Sequence, residues 1–490
     1  MDVQIEVGAT RLKISPRLPL EDSRALRKKF TYIMHNYQFT TQHKLYGWDG
    51  RKTIIYKDQT APAGCAYRIR NFLEEKLNHD VKITYKNDYK PCGSSNIYGL
   101  ELETFQKKAI KRILKYRRGI IDAPVRAGKT AIAAATIKHI GHYPVWLVTN
   151  GKDLVHQTKK DLEYHLQIPI GVFSEGKYSH GKVMVTSYQA ITRAISAAKK
   201  KKGKGPRLKK ETKQRNAALL RLIRGAKVLI FDECHHALSP KNKDLLSEIQ
   251  SAGYVIGLSG TPKPDGTHYL ELEAAIGAVI FKVKYETLIK HGRIARPMIT
   301  IYKMPYRWYT TGLREFSDVY DSNVVQNLYR NRFIADVVTH LYKSKKTAFV
   351  MIRKLAHGPI LRALIPGSVF VQGKISSEIR AGLYQSLQNK SIHCIIATVG
   401  KEGLNIPKLD AVINAEGYKS SVTTMQKMRS LTATEGKKYG IIVDFMDRGK
   451  FLGKHSKQRE KLYKKMGDIK FKIKQIPANF YAMEGTRWAQ

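Results

Sequence analysis

From Leu100 to about Pro297 the chain alternates short apolar runs with amphipathic stretches of helix length; the runs are "GIIDA", "VWLVT", "VMVTS", "VLIFD" and "VIGLSG". Such alternation is what a parallel sheet covered by helices requires. A second series follows Pro297, with "TAFVMI", "SVFVQG", "IHCIIAT", "AVINA" and "GIIVDF". The pattern predicts an α/β protein with two doubly wound parallel-sheet domains in tandem and no short-period repeat. The first ninety or so residues read differently. "KTIIY" and "VKITY" predict short strands, "AYRIRNFLEEKL" a helix, and the Pro, Gly and Ser of "YKPCGSSNIYG", Tyr89 to Gly99, a linker. The expected division is a small N-terminal α/β accessory module at 1–93, a first domain at 94–297, a second at 298–450, and a basic helix and short alternating strand at 451–490.

Composition adds a partner. Among 490 residues, 87 are Lys or Arg and 40 are Asp or Glu, a formal charge of +47. A surplus of that size favours a polyanion, because each neutralised phosphate releases counterions and adds affinity. A membrane surface competes with nucleic acid for this role. However, no apolar run approaches the roughly 18 residues that span a bilayer, and "MDVQIEVGATRLK" lacks a basic segment followed by an apolar one. Cys65, Cys92, Cys234 and Cys394 are scattered without a CxxC pair. That argues against a zinc ribbon or a disulfide framework and for a reducing cytoplasm. The segment Ala197 to Arg215 carries ten cations and one anion. It is too charged to pack, and reads either as a solvated insertion or as a basic finger on a nucleic-acid backbone.

Two motifs carry chemistry. "GIIDAPVRAGKTAIAAATIKHI", Gly119 to Ile140, is a β-like run, a loop ending in Gly128-Lys129-Thr130, and a helical run. In that context amide N–H groups and a helix N-terminus meet an anion; Lys129 reaches the outer phosphates of a nucleotide and Thr130 ligates Mg²⁺. The first glycine of the usual loop is replaced by Ala123, which is tolerable if the backbone there needs no positive φ. "VLIFDECHH", Val228 to His236, is a strand ending in two acids. Asp232 at its carboxyl end is placed to hold Mg²⁺ through water, and Glu233 to polarise an attacking water. A capped strand end with solvated acids is the bland alternative. His235 and His236 are expected to point apart on a strand end and so to form no metal pair.

"DAPVRAGKT", "DECH" and "LSGTP" (Leu258 to Pro262), in this order and spacing, resemble motifs I, II and III of superfamily 2 helicases. The resemblance implies two RecA-like domains, ATP as substrate with Mg²⁺, and coupling of hydrolysis to movement through Ser259 and Thr261. "LELETFQKKAI", Leu100 to Ile110, resembles the segment whose glutamine reads adenine, here Gln106. "VWLVTNGKDLVHQ" and "VMVTSYQAI" resemble motifs Ia and Ic, which implies backbone contacts by Thr149 and Thr186. Strand-end hydroxyls capping the next helix remain the alternative for both, and for Thr398 below. "TLIKHGRIARP" resembles the hinge between the domains and "KTAFVMIRKLAHG" motif IV. "IIATVGKEGLNIP", Ile395 to Pro407, resembles motif V, implying a backbone contact at Thr398 and nucleotide contacts at Gly403 and Asn405.

The pattern breaks in two places. Motif VI usually offers Q-x-x-G-R-x-x-R, whereas this chain has "MQKMRSLTATEGKKYG". Anchored on Gly436-Lys437, Arg429 falls on the first arginine and Thr432 on the second; anchored on Gln426, Ser430 and Ala433 replace both. The first register is preferred, since one arginine still stabilises charge on a transferred phosphoryl group. Val125 and Arg126 also stand where the family often has Thr and Gly, which keeps an ATP-gated clamp with little turnover as an alternative to hydrolysis.

"KLYGWDGRKTIIYKDQTAPAGCAYRIRNFLEEKL", Lys44 to Leu77, resembles the module preceding the motor in UvsW-type helicases of tailed phages, and "GKHSKQREKLY" a segment following their second motor domain. This implies a DNA helicase or translocase acting as a monomer on branched or forked DNA, by fork reversal, branch migration, rewinding or unwinding. RNA unwinding is the runner-up. Trp48, Tyr46, Arg51, Arg68 and Arg70 suit base stacking and phosphate contacts, although Trp48 filling the module's own core weighs slightly more. Deleting the residues before Leu100 is expected to weaken junction preference more than basal ATPase.

Overall fold

The computed structural model describes residues 1–34, 37–174, 177–199, 210–238, 243–260, 268–372, 377–398, 409–419, 439–464 and 469–476. It divides into two compact units, Met1–Val283 and Lys284–Gln490.

Among the described residues, the first unit holds two larger sheets and one two-stranded pair. Its amino-terminal module is a mixed four-stranded sheet ordered β5-β2-β1-β6, from β1 (Asp2–Val7), β2 (Arg11–Ser15), β5 (Thr60–Pro62) and β6 (Asp80–Tyr85). β3 (Thr31–Ile33) and β4 (Arg51–Thr53) form a separate antiparallel pair. Alternation puts Val3, Ile5, Val7, Leu12 and Ile14 on the buried face. The helix Ala66–Leu77 packs Ala66, Ile69 and Leu73 against it, a helical spacing legible in the sequence. "KTIIY" yields only the end of β4. Ile54 and Ile55 are both buried, and neighbouring residues cannot both face one side of a strand, so the chain bends after Thr53.

The larger sheet of this unit runs β10-β9-β11-β8-β12-β13-β7-β14. Its members are β7 (Arg118–Asp122), β8 (Val145–Thr149), β9 (Ile170–Ser174), β10 (Lys177–Ser179), β11 (Val183–Ser187), β12 (Val228–Asp232), β13 (Tyr254–Ser259) and β14 (Val279–Lys282). All neighbours are parallel except β10 with β9. Register aligns the carboxyl ends: Asp122 lies opposite Ser259, and Ser187 opposite Thr149. In such sheets ligands bind beyond that edge. The lysine-rich stretch 200–209 lies outside the described residues, between the helices Tyr188–Lys199 and Lys210–Arg224.

The second unit is a seven-stranded, wholly parallel sheet ordered β17-β18-β16-β19-β20-β15-β21. The strands are β15 (Arg296–Lys303), β16 (Ala348–Ile352), β17 (Ser368–Val371), β18 (Cys394–Thr398), β19 (Ala411–Asn414), β20 (Tyr439–Met446) and β21 (Lys470–Gln475). The basic helix Lys450–Lys464 is part of this body, with Leu452, Arg459 and Tyr463 buried. β21 closes the sheet against β15, and Lys470, Lys472 and Lys474 line this edge strand, which discourages further pairing.

Candidate active site

The chain leaves β7 at Asp122 and turns through residues 123–128 into the helix Lys129–Ile140. Ala123 is fully buried and donates its N–H to the Ser259 carbonyl at 2.9 Å. It is not among the positive-φ residues, so its methyl group is accommodated without strain. Arg126 and Gly128 do sit in the left-handed region, at φ 69 and 73. Gly128 is required twice over, because a Cβ there would lie 2.4 Å from Gln106 Nε2.

Gln106 is buried and committed at both ends: its Nε2 donates to the Ala127 carbonyl at 3.1 Å and its Oε1 accepts from the Glu103 N–H at 2.9 Å. It thereby ties the start of the helix Thr104–Tyr116 to the phosphate loop. This bracing role leaves one N–H and one carbonyl lone pair of the amide for the expected reading of adenine.

Lys129 Nζ donates to Glu233 Oε1 at 2.5 Å. Burial disfavours its charge, but Glu233 and Asp232 outweigh that and raise its pKa. Burial also works against the Glu233 carboxylate, yet Lys129 beside it holds the carboxyl below its usual range. Asp232 goes the other way. Burial pushes it up to about 6 against the pull of Lys129, and the neighbouring Glu233 adds repulsion. Its Oδ1 is buried with no hydrogen-bond partner, the kind of orphaned acceptor that a hydrated Mg²⁺ satisfies. Thr130, on the first turn of the loop's helix, is the second oxygen suited to it.

The family described as "Type III restriction enzyme, res subunit" matches residues 99–264. The ATP-dependent DNA helicase UvsW of Enterobacteria phage T4 is 22% identical over 457 residues, covering 86% of each chain. The chain is similar to the UvsW-like helicases of superfamily 2. Its RecA-like fold is shared with the DNA-bound type ISP restriction-modification enzyme LlaBIII (TM-score 0.56, 12% identity, 79% of this chain and 32% of that one). It is also shared with S. cerevisiae Dbp5 bound to RNA and ADP BeF3 (TM-score 0.50, 13% identity, 78% and 92%).

For a helicase of this kind, the residues around Glu233 matter as much as the loop. Ser259, the expected coupling residue at the end of β13, donates to Glu233 Oε2 at 3.0 Å and lies 3.1 Å from His235 Nδ1. The two histidines do not diverge as expected. Residues Cys234–Leu238 form a 3-10 turn rather than continuing the strand, and the rings lie 4.2 Å apart. They still divide their partners: His235 faces Glu233 and Ser259, whereas His236 Nε2 lies 3.3 Å from Asn150 Nδ2.

Thr149 and Thr186 are corrected as nucleic-acid contacts. Both are completely buried; Thr186 donates to the Phe173 carbonyl at 2.8 Å, and Thr149 Oγ1 is enclosed without a partner. A parallel strand buried on both faces leaves its last hydroxyl inside the sheet. Nor does Thr149 cap the next helix, whose N-cap is Gly151. Thr398, at the end of β18, is half-buried. Thr261, Gly403, Asn405 and Arg429 lie outside the described residues.

In the accessory module, Trp48 is half-buried and outside the core cluster, so it does not fill the core. Its Nε1 donates to the Arg51 carbonyl at 3.2 Å. Arg51 is exposed and pairs with Asp49 at 3.4 Å. Tyr46 and Phe39 are 81% and 75% exposed, the largest aromatic surface of this segment; Phe39 escaped the sequence reading because no motif or periodicity marks it. Arg68 and Arg70 are engaged within the protein, with Glu273 at 2.5 Å and Glu74 at 2.8 Å.

Proposed function

We propose that this chain is an ATP hydrolase that moves on DNA and remodels branched or forked DNA. The carrying observation is the cluster at the carboxyl edge of the first motor sheet. Lys129, Asp232, Glu233 and Ser259 meet there with one acid held ionised and its neighbour carrying an orphaned oxygen. Divergent pKa values in adjacent acids separate two roles. Asp232, with Thr130, takes the magnesium position. Glu233, held by Lys129 and Ser259, is the carboxylate that orients water once Lys129 turns to a phosphate. Bound Mg²⁺ would neutralise phosphate charge and fix the orientation of the phosphates. Arg429, Gly403 and Asn405 are assigned by resemblance to the nucleotide contacts of the second domain.

DNA as the track is supported by the relative's printed activity and by the +47 charge; a fold found on both DNA and RNA does not choose between them. Trp48, Tyr46 and Arg51 are the module's proposed DNA contacts.

The deciding experiment is ATPase stimulation by single-stranded, duplex, forked and four-way-junction DNA and by RNA duplex, at one fixed salt concentration. Strongest stimulation by the branched substrates is expected. Stimulation by RNA duplex above all DNA substrates would make the chain an RNA helicase, and nucleotide binding without turnover would make it a clamp. A phosphate-release rate untouched by Lys129→Ala and Glu233→Gln would remove the catalytic assignment.

A further inference from the structure

With Thr149 and Thr186 buried, a different pair of side chains holds the edge where β8 and β11 end. Asn150 follows β8, and Gln189 is the second residue of the helix Tyr188–Lys199 that follows β11. Asn150 is half-buried and Gln189 exposed. Gln189 Nε2 donates to Asn150 Oδ1 at 3.1 Å, and Asn150 Nδ2 lies 3.3 Å from His236 Nε2. His236 touches His235, whose Nδ1 is 3.1 Å from Ser259 Oγ, and that hydroxyl bonds Glu233. An unbroken series of contacts therefore runs from the catalytic carboxylate to a solvent-facing amide. Tyr188 packs beside the His236 ring and donates to the Asp232 carbonyl at 3.3 Å, which fixes the helix start against this series.

The amides have a direction. An Asn or Gln side chain donates at one end and accepts at the other, whereas a neutral imidazole nitrogen either donates or accepts according to tautomer. In the arrangement described, the Asn150 NH₂ faces His236 Nε2, which therefore accepts. The Gln189 NH₂ is drawn inward to Asn150, and its carbonyl is the end turned away. If His236 carries its proton on Nε2 instead, Asn150 must turn its oxygen to the ring and its NH₂ to Gln189. Gln189 then turns its own oxygen inward and its NH₂ outward. A carbonyl facing a phosphodiester oxygen repels it; an NH₂ bonds it.

We propose that His236 is a positioning residue that sets the polarity of the Asn150–Gln189 amide pair, and so decides whether Gln189 offers the nucleic-acid backbone an acceptor or a donor. This rests on the motor reading above and deepens it, because it names the side chains by which the edge beside the catalytic carboxylate grips the strand.

The test uses the full chain, ATP with Mg²⁺, and poly(dT) at fixed salt, reading basal ATPase, maximal stimulation and the poly(dT) concentration for half-stimulation. Gln189→Ala removes the donor that the second arrangement, the one we assign to the strand-bound state, turns outward. Asn150→Asp presents only acceptors, which holds the Gln189 NH₂ inward. Each is expected to raise the half-stimulation concentration about five- to tenfold, the loss of roughly one hydrogen bond. The double variant is expected to be no worse than the weaker-binding single variant, because Asn150→Asp has already withdrawn the donor. Lys111→Ala, on an exposed helix face, serves as the unchanged control. Wild-type half-stimulation in Gln189→Ala, or losses that multiply in the double variant, would overturn the proposal. Gln189 is exposed, so its variant tests the idea without threatening the fold. If the wild type is stimulated by no nucleic acid, the motor reading fails and takes this proposal with it; if the wild type is stimulated and the variants match it, only this proposal fails.

Discussion

Asp232 and Glu233 are adjacent carboxylates whose surroundings drive them in opposite directions, and that opposition is measurable. Asp232 rises from an ordinary 3.8 to about 6 in the folded chain. Its carboxylate is therefore destabilising at neutral pH; the penalty is fully present above the folded value and is relieved as pH falls through about 6 toward the unfolded one. Asp232→Asn should stabilise the protein at pH 7 by on the order of 2 kcal/mol while abolishing turnover, read by denaturant unfolding and phosphate release. A variant less stable than wild type would show that Asp232 is structural. The same shift predicts that kcat/KM for MgATP declines as pH drops through about 6, since the magnesium position of the free enzyme needs the ionised form. A flat profile between about pH 8 and pH 5 would contradict the assignment. In the loop, Arg126 shows that the backbone path, not the residue type, demands a left-handed conformation. Gly128 combines that conformation with contact against Gln106. Gly128→Ala should cost about 1–3 kcal/mol and weaken nucleotide binding at least tenfold in a fluorescent-analogue titration; wild-type binding would mean that Gln106 yields freely.

At the scale of elements, apolar runs revealed all five strands named in each motor series, because strands buried on both faces read as continuous hydrophobic segments. They did not reveal β9, where Gly171 interrupts the run, or β15, which begins Arg-Pro and alternates partly buried with buried positions. Least legible was why the basic helix Lys450–Lys464 belongs to the second unit. Its Arg459 is buried, donating from Nε to Asp444 Oδ2 at 2.9 Å, from Nη2 to the Phe445 carbonyl at 2.6 Å and from Nη1 to the Tyr418 carbonyl at 2.7 Å. Tyr463, one turn on, donates to the same Asp444 oxygen at 2.6 Å. Asp447 receives Arg330 at 2.8 Å and the Tyr309 hydroxyl at 2.7 Å. In a helix this cationic, a buried arginine is indistinguishable from its solvated neighbours until its acids are placed around it. Removing one partner of such a network strands a buried charge. Arg459→Ala should destabilise the second unit by about 3–5 kcal/mol in chemical denaturation; a loss below about 1 kcal/mol would mean that water replaces the guanidinium.

At the scale of the first unit, the accessory module and the motor share their interiors, which revises what truncation tests. The module's Ala9 lies in the motor's core cluster and the motor's Ala274 in the module's. Gly64 approaches the motor so closely that a Cβ would sit 2.2 Å from the Glu273 carbonyl. Arg68 pairs with the buried Glu273, Tyr32 donates to Glu271, and the buried Arg118 donates to the Ala9 carbonyl at 2.8 Å. These contacts come singly from distant parts of the chain and leave no periodic trace, so the Pro-, Gly- and Ser-bearing stretch at 89–99 was the only visible signal and suggested separable parts. Deleting residues before Leu100 would take Arg68 from Glu273 and the Ala9 carbonyl from Arg118 and uncover apolar surface. It should therefore lower the melting temperature and the basal ATPase together, rather than weakening junction preference more than basal ATPase. DNA selection by the module is better examined through its exposed groups. Tyr46→Ala and Arg51→Ala leave the shared interior intact, so their melting temperatures should stay at the wild-type value while stimulation by forked DNA falls severalfold relative to single strands. If the truncated chain instead melts cooperatively at the full-length temperature, the shared core contributes little and the module is an independent appendage.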